Sequence, residues 1–307
     1  MSPYNILVIL GATASGKTAV AARWAHLNNG EIISADSRQL YRGMTIGTGK
    51  DYADYCVDGK TVACHCIDIA NPGEQYNVYA YQKDFLKALA DIRRRNKIPV
   101  LCGGSGLYLE AALKGYRLLQ TPVNEALRNE LEQKDNAEME TILSELQPLH
   151  NRTDTVTRKR MIRAVEIAVY RKEHRDEPVH YPDLKPLLAG ILYDRDTRRK
   201  RITERLEQRL REGMADEVRL LLDKGLTPEQ LEYYGLEYKY LTLYLTGQIR
   251  YEQMFDQLNT AIHQFAKRQM TWFRRMERNG DRIHWIDGNL PTEEKIRQIT
   301  DAFRAPQ

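Results

Sequence analysis

The chain has 307 residues, of which 29% are charged and 42% hydrophobic, and its formal net charge is +4. This composition excludes disordered and fibrous classes, and the length leaves room for one large domain or two. The mildly basic charge is compatible with a nucleic acid partner but does not by itself indicate one. No apolar run approaches the ~18 residues of a membrane span, and the N-terminus lacks a secretory pattern. Four irregularly spaced cysteines do not make a disulfide framework, so we expect a reducing, cytoplasmic setting without membrane contact.

The first segment with a specific chemical pattern lies near the start of the chain. Residues Ile6–Leu10 are apolar and rich in β-branched side chains, which predicts a buried strand of a parallel sheet. The next eight residues fit G-x-x-x-x-G-K-[ST], the phosphate-binding P-loop, and a helical pattern follows them. In such a loop the backbone N–H groups face phosphate oxygens, the lysine reaches the terminal phosphates and the last hydroxyl can ligate Mg²⁺. We therefore predict that a polyphosphate or pyrophosphate is bound by Gly11, Ala12, Thr13, Ala14, Ser15, Gly16, Lys17 and Thr18, with Thr18 as the metal ligand.

Two further predicted strands end in polar residues that would lie at the same sheet edge. Asp36 follows a short apolar stretch, and Ser105 follows Ile98–Cys102 and two glycines. Ligands of open α/β sheets bind at the carboxyl ends of the strands, which favours an acid/base or Mg²⁺-binding role for Asp36. The alternative for Asp36 is a helix-capping role. The alternative for Ser105 is a tight strand–helix turn that needs its glycines only for geometry.

Cysteine, histidine and glycine mark two segments between these strands. Cys64-His65-Cys66 lies on a predicted strand, but C-x-C without a second pair at metal-ligand spacing is a weak indication of zinc. His65 fits a substrate contact and a packed position at a strand end about equally well. The loop from Gly43 to Lys50 is rich in glycine and threonine, and we expect it to be too polar for the core.

The composition changes at about Thr121, where charged helical patterns begin. Residues 124–150 and 158–171 predict helices, and 173–186 predict a linker. The second helix carries cations at 158, 159, 160 and 163 near its N-terminus, where the helix dipole disfavours them, which favours an anionic partner over a solvated surface. Further along, the pattern predicts a strand at 187–193, long helices at 194–225 and 249–278, a strand at 283–286 and a helix at 292–303. Basic residues alternate with aromatics near the end of the 249–278 helix, which is typical both of nucleic acid contact and of an amphipathic surface helix.

These patterns predict an α/β fold. We expect a P-loop NTPase-like parallel sheet flanked by helices, with an all-helical insertion domain. The predicted catalytic core comprises residues 1–120 and 186–307, and the predicted insertion comprises residues 121–185.

Five segments, in this order, resemble the tRNA dimethylallyltransferases (adenosine-37 isopentenyltransferases): Gly11–Thr18, Asp36–Thr48, Gly103–Tyr108, Arg160–Ile167 and Ala266–Arg274. Together they span nearly the whole chain, and the second and last are the most restrictive. The resemblance implies that the P-loop binds the pyrophosphate of dimethylallyl diphosphate rather than ATP, with Mg²⁺. It also implies that the insertion clasps the anticodon stem-loop of tRNA and that adenosine 37 is flipped out, so that its N6 attacks the allylic carbon while pyrophosphate leaves. We expect the protein to act as a monomer.

The resemblance also implies roles for individual residues. Asp36 would take the proton from the attacking amine, Lys17 would stabilise the leaving pyrophosphate, and Ser105 would bind near the amine or the bridging oxygen. Ser37 and Gln39 would contact the flipped base. The implied tRNA contacts are Asp36, Ser37, Arg38, Gln39, Ser105, Arg128, Arg160, Met161, Ile162, Arg163, Lys267, Arg268, Gln269 and Arg274.

Five positions depart from the family pattern. Ser105 stands where threonine is usual, and Gly49 and Asp51 flank Lys50 in place of the usual alanine and proline. Glu237 stands where the family has the glycine of Gly-Tyr-Lys, and Tyr234 stands where an arginine can occur. A carboxylate gained and a cation lost beside a pyrophosphate should weaken its binding, which predicts a divergent member with altered substrate preference.

Three other functions fit parts of the pattern. A small-molecule or nucleoside kinase would use the P-loop on ATP and the arginines at 195–201 as a lid. An RNA-binding P-loop protein would use a nucleotide as a switch without group transfer, although Asp36 and Ser105 argue against this. An isopentenyltransferase acting on free adenine nucleotides would not need the helical insertion.

Overall fold

The computed structural model describes residues 2–116, 118, 121–146, 157–174 and 181–305. The chain divides into two compact units. Met1–Gly115 and Asp183–Gln307 form the first, called here the core unit. Tyr116–Pro182 forms the second, called the insertion unit.

All the strands that the structure describes lie in the core unit. The strands are β1 (Ile6–Gly11), β2 (Gly30–Ser34), β3 (Cys56–Val57), β4 (Lys60–Thr61), β5 (Cys64–His65), β6 (Ile98–Gly103), β7 (Pro186–Leu192) and β8 (Ile283–Asp287). The α-helices of the whole chain are α1 (Lys17–Leu27), α2 (Val78–Arg94), α3 (Gly106–Lys114), α4 (Glu125–Glu132), α5 (Asn136–Leu146), α6 (Arg158–Glu173), α7 (Arg195–Arg211), α8 (Met214–Asp223), α9 (Pro228–Tyr233), α10 (Leu236–Leu245), α11 (Tyr251–Arg278) and α12 (Thr292–Arg304). A short 3-10 helix spans Tyr52–Tyr55.

A six-stranded parallel sheet lies at the centre of the core unit, in the order β5-β2-β6-β1-β7-β8. Every residue of β1 is buried, as expected for a parallel strand that is covered on both faces. On one part of this core, Trp24 of α1 packs edge-to-face on Phe303 of α12, with ring centroids 5.2 Å apart. The predicted fold class, a parallel sheet flanked by helices, is confirmed.

The carboxyl ends of β1, β2 and β6 lie side by side. Leu10 of β1 is in register with Gly103 of β6, and Ser34 of β2 is in register with Cys102 of β6. The P-loop, Asp36 and Ser105 each follow one of these ends. The sheet therefore brings the three sequence motifs to one edge, where open α/β sheets bind their ligands.

Two predicted long helices are each interrupted. The helix predicted at 194–225 is wrong, because Gly213 adopts a left-handed φ of 96° and separates α7 from α8. The helical stretch predicted at 124–150 is α4 and α5, and its residues 147–150 lie outside the described residues. Here Asp135 and Glu138 exchange backbone–side-chain hydrogen bonds of 2.7 and 2.9 Å, a reciprocal cap that starts a new helix.

A buried carboxylate at the start of β2 joins three basic residues. Glu31 is 2% exposed, and its oxygens lie 2.6 Å from Arg95, 2.7 Å from Lys97 and 2.8 Å from His65. The hydrogen bond from Arg95 is the main cause that lowers the pKa of Glu31 from 4.5 to about 2, with Lys97 and His65 adding to it. His65 is therefore the packed histidine at a strand end, paired with a carboxylate of the neighbouring strand.

We expect Glu31→Gln to destabilise the protein by about 2–3 kcal/mol at pH 7, because the variant loses a carboxylate whose pKa lies well below its ordinary value. The contribution of Glu31 is complete above about pH 4.5 and is lost as the pH falls towards 2, so wild type and variant should converge in acid. Urea unfolding at pH 7 and at pH 3 measures both values. Glu294→Gln, which removes the half-buried partner of the exposed Arg297, is the control and should change little, because a pair at the surface contributes little. A gap between wild type and Glu31→Gln that does not shrink at pH 3 would contradict the assignment.

The cysteines of the C-x-C segment are free thiols, of which Cys66 is buried and Cys64 half-buried. Burial raises the pKa of Cys64 and of Cys66 to about 12, so neither is a thiolate at neutral pH. Within the described ranges, no group of three or more His, Cys, Asp or Glu side chains is placed to hold a metal ion, so the zinc interpretation of Cys64-His65-Cys66 gains no support. None of the helices in the described part of the chain is long and apolar enough to cross a membrane.

Candidate functional site

The P-loop curls around the start of α1. Gly16 caps this helix in a left-handed conformation, with φ of 71°, and Ala14 is left-handed as well, with φ of 62°. The backbone N–H groups of Ser15, Gly16, Lys17 and Thr18 donate to no described residue. The Oγ of Ser15 is buried and has no hydrogen-bond partner among the described residues. Free donors at a helix N-terminus make an anion-binding site.

Three side chains from distant parts of the chain hold this loop in place. The Nε of Arg201 donates to the carbonyl of Ala14 over 3.1 Å, and Arg205 donates to the hydroxyl of Thr13. The N–H of Thr13 donates to Oε1 of Gln269 over 2.8 Å. The outer groups of the loop are thus bonded to α7 and α11, while its inner N–H groups stay available.

Three cations converge on the loop. Burial is the main cause that lowers the pKa of Lys17, and repulsion from Arg205 and Arg209 adds to it, while Cys102 and Asp36 act in the opposite direction. Burial and Arg209 likewise lower the pKa of Arg205 to about 10. Positive charges held this close in a partly buried site favour a bound polyanion, which would relieve both the desolvation and the repulsion.

Arg205 and Arg209 are not among the site residues predicted from the sequence. The sequence does contain a pattern that indicates them. Arg201, Arg205 and Arg209 are spaced by four residues, which places all three on one face of a helix. The sequence interpretation instead grouped the arginines of this segment by charge alone, as a kinase lid.

Asp36, Ser37 and Ser105 meet beside the P-loop. The N–H of Ser37 donates to Oγ of Ser105 over 3.1 Å, and the two hydroxyl oxygens are 3.4 Å apart. One carboxylate oxygen of Asp36 accepts the N–H of Arg38 at 2.9 Å, and the charge of Asp36 acts on Lys17. No helix begins directly after Asp36, so the helix-capping alternative is wrong, and this hydrogen bond closes a local turn instead. The second carboxylate oxygen of Asp36 bonds to no described residue.

Arg38 and Gln39 have partners within the protein. Arg38 donates to the carbonyl of Tyr233 and lies 5.5 Å above the ring of the same tyrosine. Gln39 is buried, and its amide joins Oγ of Ser34, at 3.3 Å, to the carbonyl of Gly49, at 2.8 Å. Both polar atoms of Gln39 bond to protein groups, and its contact with a flipped base stays a prediction.

The loop from Gly43 to Lys50 was expected to be too polar for the core, and this expectation is wrong. Met44 and Lys50 are buried, and Lys50 donates to the carbonyl of Tyr41 and to the carboxylate of Asp68. On the other side, Glu217 accepts the N–H groups of residues 45, 46 and 47 at 2.8, 2.8 and 3.0 Å and the hydroxyl of Tyr238 at 2.7 Å. Charged partners at half-buried positions satisfy the polar groups of this loop, so it can pack against the core.

The departures at residues 49, 51 and 237 surround one arginine. Arg209 lies 3.0 Å from the carboxylate of Asp51, and a Cβ on Gly49 would come within 2.6 Å of its guanidinium. Burial raises the pKa of Glu237, while Arg209 and Arg205 lower it. The carboxylate gained at position 237 thus interacts with a cation, Arg209, that also pairs with Asp51 and occupies the space a side chain at position 49 would need.

Tyr234, another of the departures, belongs to the core. Its ring packs edge-to-face on Tyr41 at 4.7 Å, and its hydroxyl accepts the N–H of Gly73. A side chain in this position packs against protein rather than facing the P-loop cations, so it does not take the place of a phosphate-binding arginine.

In the insertion unit, two of the predicted tRNA-binding arginines form an internal network. Arg128 and Arg163 both pair with Glu166, which is 2% exposed and also accepts the N–H of Asn124 at 2.6 Å.

The side chains of Met161 and Ile162 are buried in a small core with Leu131, Met139 and Leu143. Arg160 is exposed, and its guanidinium bonds to no described residue. Arg158 donates to the carbonyls of residues 131, 132 and 134 and so satisfies the C-terminal end of α4.

The second half of α11 presents the remaining predicted contacts. Lys267, Arg268 and Arg274 are exposed on this helix, and Gln269 is 7% exposed between them. Phe273 on the opposite face is fully buried. The alternation of basic and apolar residues therefore gives one charged face and one packed face.

Comparison with known proteins shows which family has these features. The family model for IPP transferase matches residues 39–276, and the model for isopentenyl transferase matches residues 4–58. Curated relatives named tRNA dimethylallyltransferase, from Parabacteroides distasonis and Bacteroides fragilis, are each 56% identical over 96% and 99% of both chains, respectively.

Solved structures agree. A full-length tRNA isopentenylpyrophosphate transferase from Bacillus halodurans is 31% identical, with a TM-score of 0.70 and coverage of 97% of this chain and 95% of that one. A eukaryotic dimethylallyltransferase acting on tRNA has the same fold, with a TM-score of 0.79, 21% identity and coverage of 96% and 78%. Identities of 52–56% to curated members contradict the prediction of a divergent member. The chain belongs to the IPP transferase family, as one of the tRNA dimethylallyltransferases.

Proposed function

We propose that this protein transfers a dimethylallyl group from dimethylallyl diphosphate to N6 of adenosine 37 in tRNA and releases pyrophosphate. One observation carries the proposal: a P-loop with free N–H groups and three converging cations shares a sheet edge with Asp36 and Ser105. This arrangement supplies an anion site for the leaving group and a carboxylate for the attacking amine. The curated relatives carry the same activity in their names.

The residues of the site divide the reaction between them. The N–H groups of residues 15–18, with Lys17 and Arg205, hold the diphosphate and stabilise the charge that develops on it. Asp36 accepts the proton that the N6 amine loses as the new C–N bond forms, and Ser105 orients the amine or the bridging oxygen.

A divalent cation fits beside the diphosphate. The hydroxyl of Thr18 lies at the start of α1 and bonds to no described residue, and the charge of Asp36 acts nearby on Lys17. Hard oxygen ligands of this kind suit Mg²⁺ bound together with phosphates. The ion would neutralise charge on the leaving pyrophosphate.

Each of the two units carries exposed cations that are suited to contacts with the phosphates of the anticodon stem-loop. Arg160 lies at the start of α6, and Lys267, Arg268 and Arg274 lie on α11. Arg128 of α4 and Arg163 of α6 both pair with Glu166, so their place in this proposal is to position α6. Such contacts would supply affinity and register rather than base readout.

The test is an incubation of the purified protein with Mg²⁺, dimethylallyl diphosphate and tRNA that lacks this modification. The tRNA is digested to nucleosides and analysed by mass spectrometry, with AMP and ATP as parallel acceptors. We expect dimethylallyl-adenosine from tRNA alone, and none from a matched transcript with guanosine at position 37. Product from AMP or ATP only would indicate a free-nucleotide acceptor, and transfer of the γ-phosphate of ATP would indicate a kinase.

A further inference from the structure

Gln269 lies among predicted tRNA contacts on α11, but both ends of its side chain bond inside the protein. Its Oε1 accepts the N–H of Thr13 at 2.8 Å, and its Nε2 donates to the carbonyl of Gly104 at 2.9 Å. The side chain is 7% exposed. Because one partner is a donor and the other an acceptor, only an amide in this orientation satisfies both.

The surroundings of this amide are shaped to fit it. A Cβ on Gly104 would come within 2.5 Å of Nε2 of Gln269, so the absence of a side chain there lets the amide reach the backbone. One turn along α11, Trp272 covers Gly106 so closely that a Cβ would lie 2.2 Å from its ring. One turn further, Arg275 lies 3.9 Å above the Trp272 ring and 2.6 Å from Glu110 of α3. The stripe of residues 269, 272 and 275 therefore locks α11 onto the turn that carries Ser105.

Gln269 joins the loop that would bind the diphosphate donor to the turn that would bind the acceptor amine. Thr13 is part of the P-loop, which would hold the diphosphate, and Gly104 directly precedes Ser105, which would orient the acceptor. We infer that Gln269 is a positioning residue that fixes the P-loop relative to the Ser105 turn, rather than a tRNA contact. This inference rests on the proposed function for its catalytic meaning. The link between the loops can be tested without catalysis.

The test uses Gln269→Met, which keeps the length of the side chain and removes both hydrogen bonds. We expect the affinity for inorganic pyrophosphate, measured by calorimetry without tRNA, to fall about tenfold because the P-loop loses one of its supports. In the full reaction kcat should fall about 10–100-fold, since small misplacements of reacting groups are costly. The affinity for tRNA should stay within about twofold, and so should its salt dependence.

Arg274→Ala is the matched variant from the same helix, where the side chain is exposed. It should weaken tRNA binding with a smaller salt slope and leave pyrophosphate binding unchanged. Hydrogen exchange at the Thr13 amide supplies a second readout, because Gln269→Met should lose protection there while α1 and the sheet keep theirs. This readout remains informative if the protein proves to transfer no prenyl group.

Loss of tRNA affinity in Gln269→Met, with pyrophosphate affinity and Thr13 protection unchanged, would overturn the inference and make Gln269 an RNA contact. If Gln269→Met has a lower melting temperature than wild type, hydrogen exchange of both proteins is measured below that temperature. Protection lost across the whole core unit, rather than at the two loops, would also overturn a specific positioning role.

Discussion

Asp36→Asn should lower kcat about 10²–10⁴-fold, the range typical of a lost general base, while the affinities for tRNA and pyrophosphate stay within a few-fold. The asparagine oxygen can still accept the N–H of Arg38, which Asp36 accepts at 2.9 Å, so the turn after β2 should persist. The hydrogen bond between Ser37 and Ser105 involves neither carboxylate oxygen and should persist as well. The substitution therefore removes the proton acceptor and keeps the hydrogen bond that closes the turn.

Single-turnover kinetics with saturating tRNA and dimethylallyl diphosphate measures the chemical step directly. Asp58→Asn is the control, because Asp58 is an exposed carboxylate in the turn between β3 and β4 and pairs with Arg23 of α1. Its rate should match wild type. If Asp36→Asn retained its rate and only Asp36→Ala lost it, Asp36 would serve only to close the turn. Another group would then have to accept the proton from the amine.

The strand–loop framework of the site could be predicted from the sequence because each part of it is local. Apolar runs that end in Gly11, Ala35 and Gly103 indicate parallel strands, and the topology of such sheets brings their carboxyl ends together. This topology predicts that the P-loop, Asp36 and Ser105 lie at one edge, and the register of β1, β2 and β6 agrees.

The supports of the site could not be predicted in the same way. Gln269, Arg205 and Glu217 act on loops that precede them by at least 165 residues in the chain. Nothing in their local pattern distinguishes a buried amide or carboxylate from an exposed one on an amphipathic helix, because either residue type is common on a solvent face. A local pattern gives the period of a helix but not the partner of its polar side chains.

The interpretation of the family departures failed for a related reason. Glu237 was weighed alone, as a negative charge added near a pyrophosphate, whereas the structure places Arg209 close enough to interact with both Glu237 and Asp51. The effect of a charge at one position depends on the charged residues around it, here Arg209 with Asp51 and Glu237. Relatives at 52–56% identity confirm that these residues accompany ordinary membership of the family.

Lys17→Met should lower kcat/KM for dimethylallyl diphosphate about 10²–10³-fold, because the lysine stabilises charge that develops on the leaving pyrophosphate. Pyrophosphate should still bind, more weakly, since Arg205 and the N–H groups of residues 15–18 remain. Initial rates at varied dimethylallyl diphosphate, with calorimetry for pyrophosphate, measure the two effects.

The same substitution should raise the melting temperature measured without ligands. Burial and the neighbouring arginines lower the pKa of Lys17, so the folded state disfavours its charge and gains when that charge is removed. Activity and stability should therefore move in opposite directions, as expected where a binding site holds uncompensated cations for its ligand. Lys60→Met, at an exposed position of the β3–β4 hairpin, is the control and should alter neither. A variant that lost activity and melted earlier would instead make Lys17 a structural residue of the loop, with Asp36 as its partner.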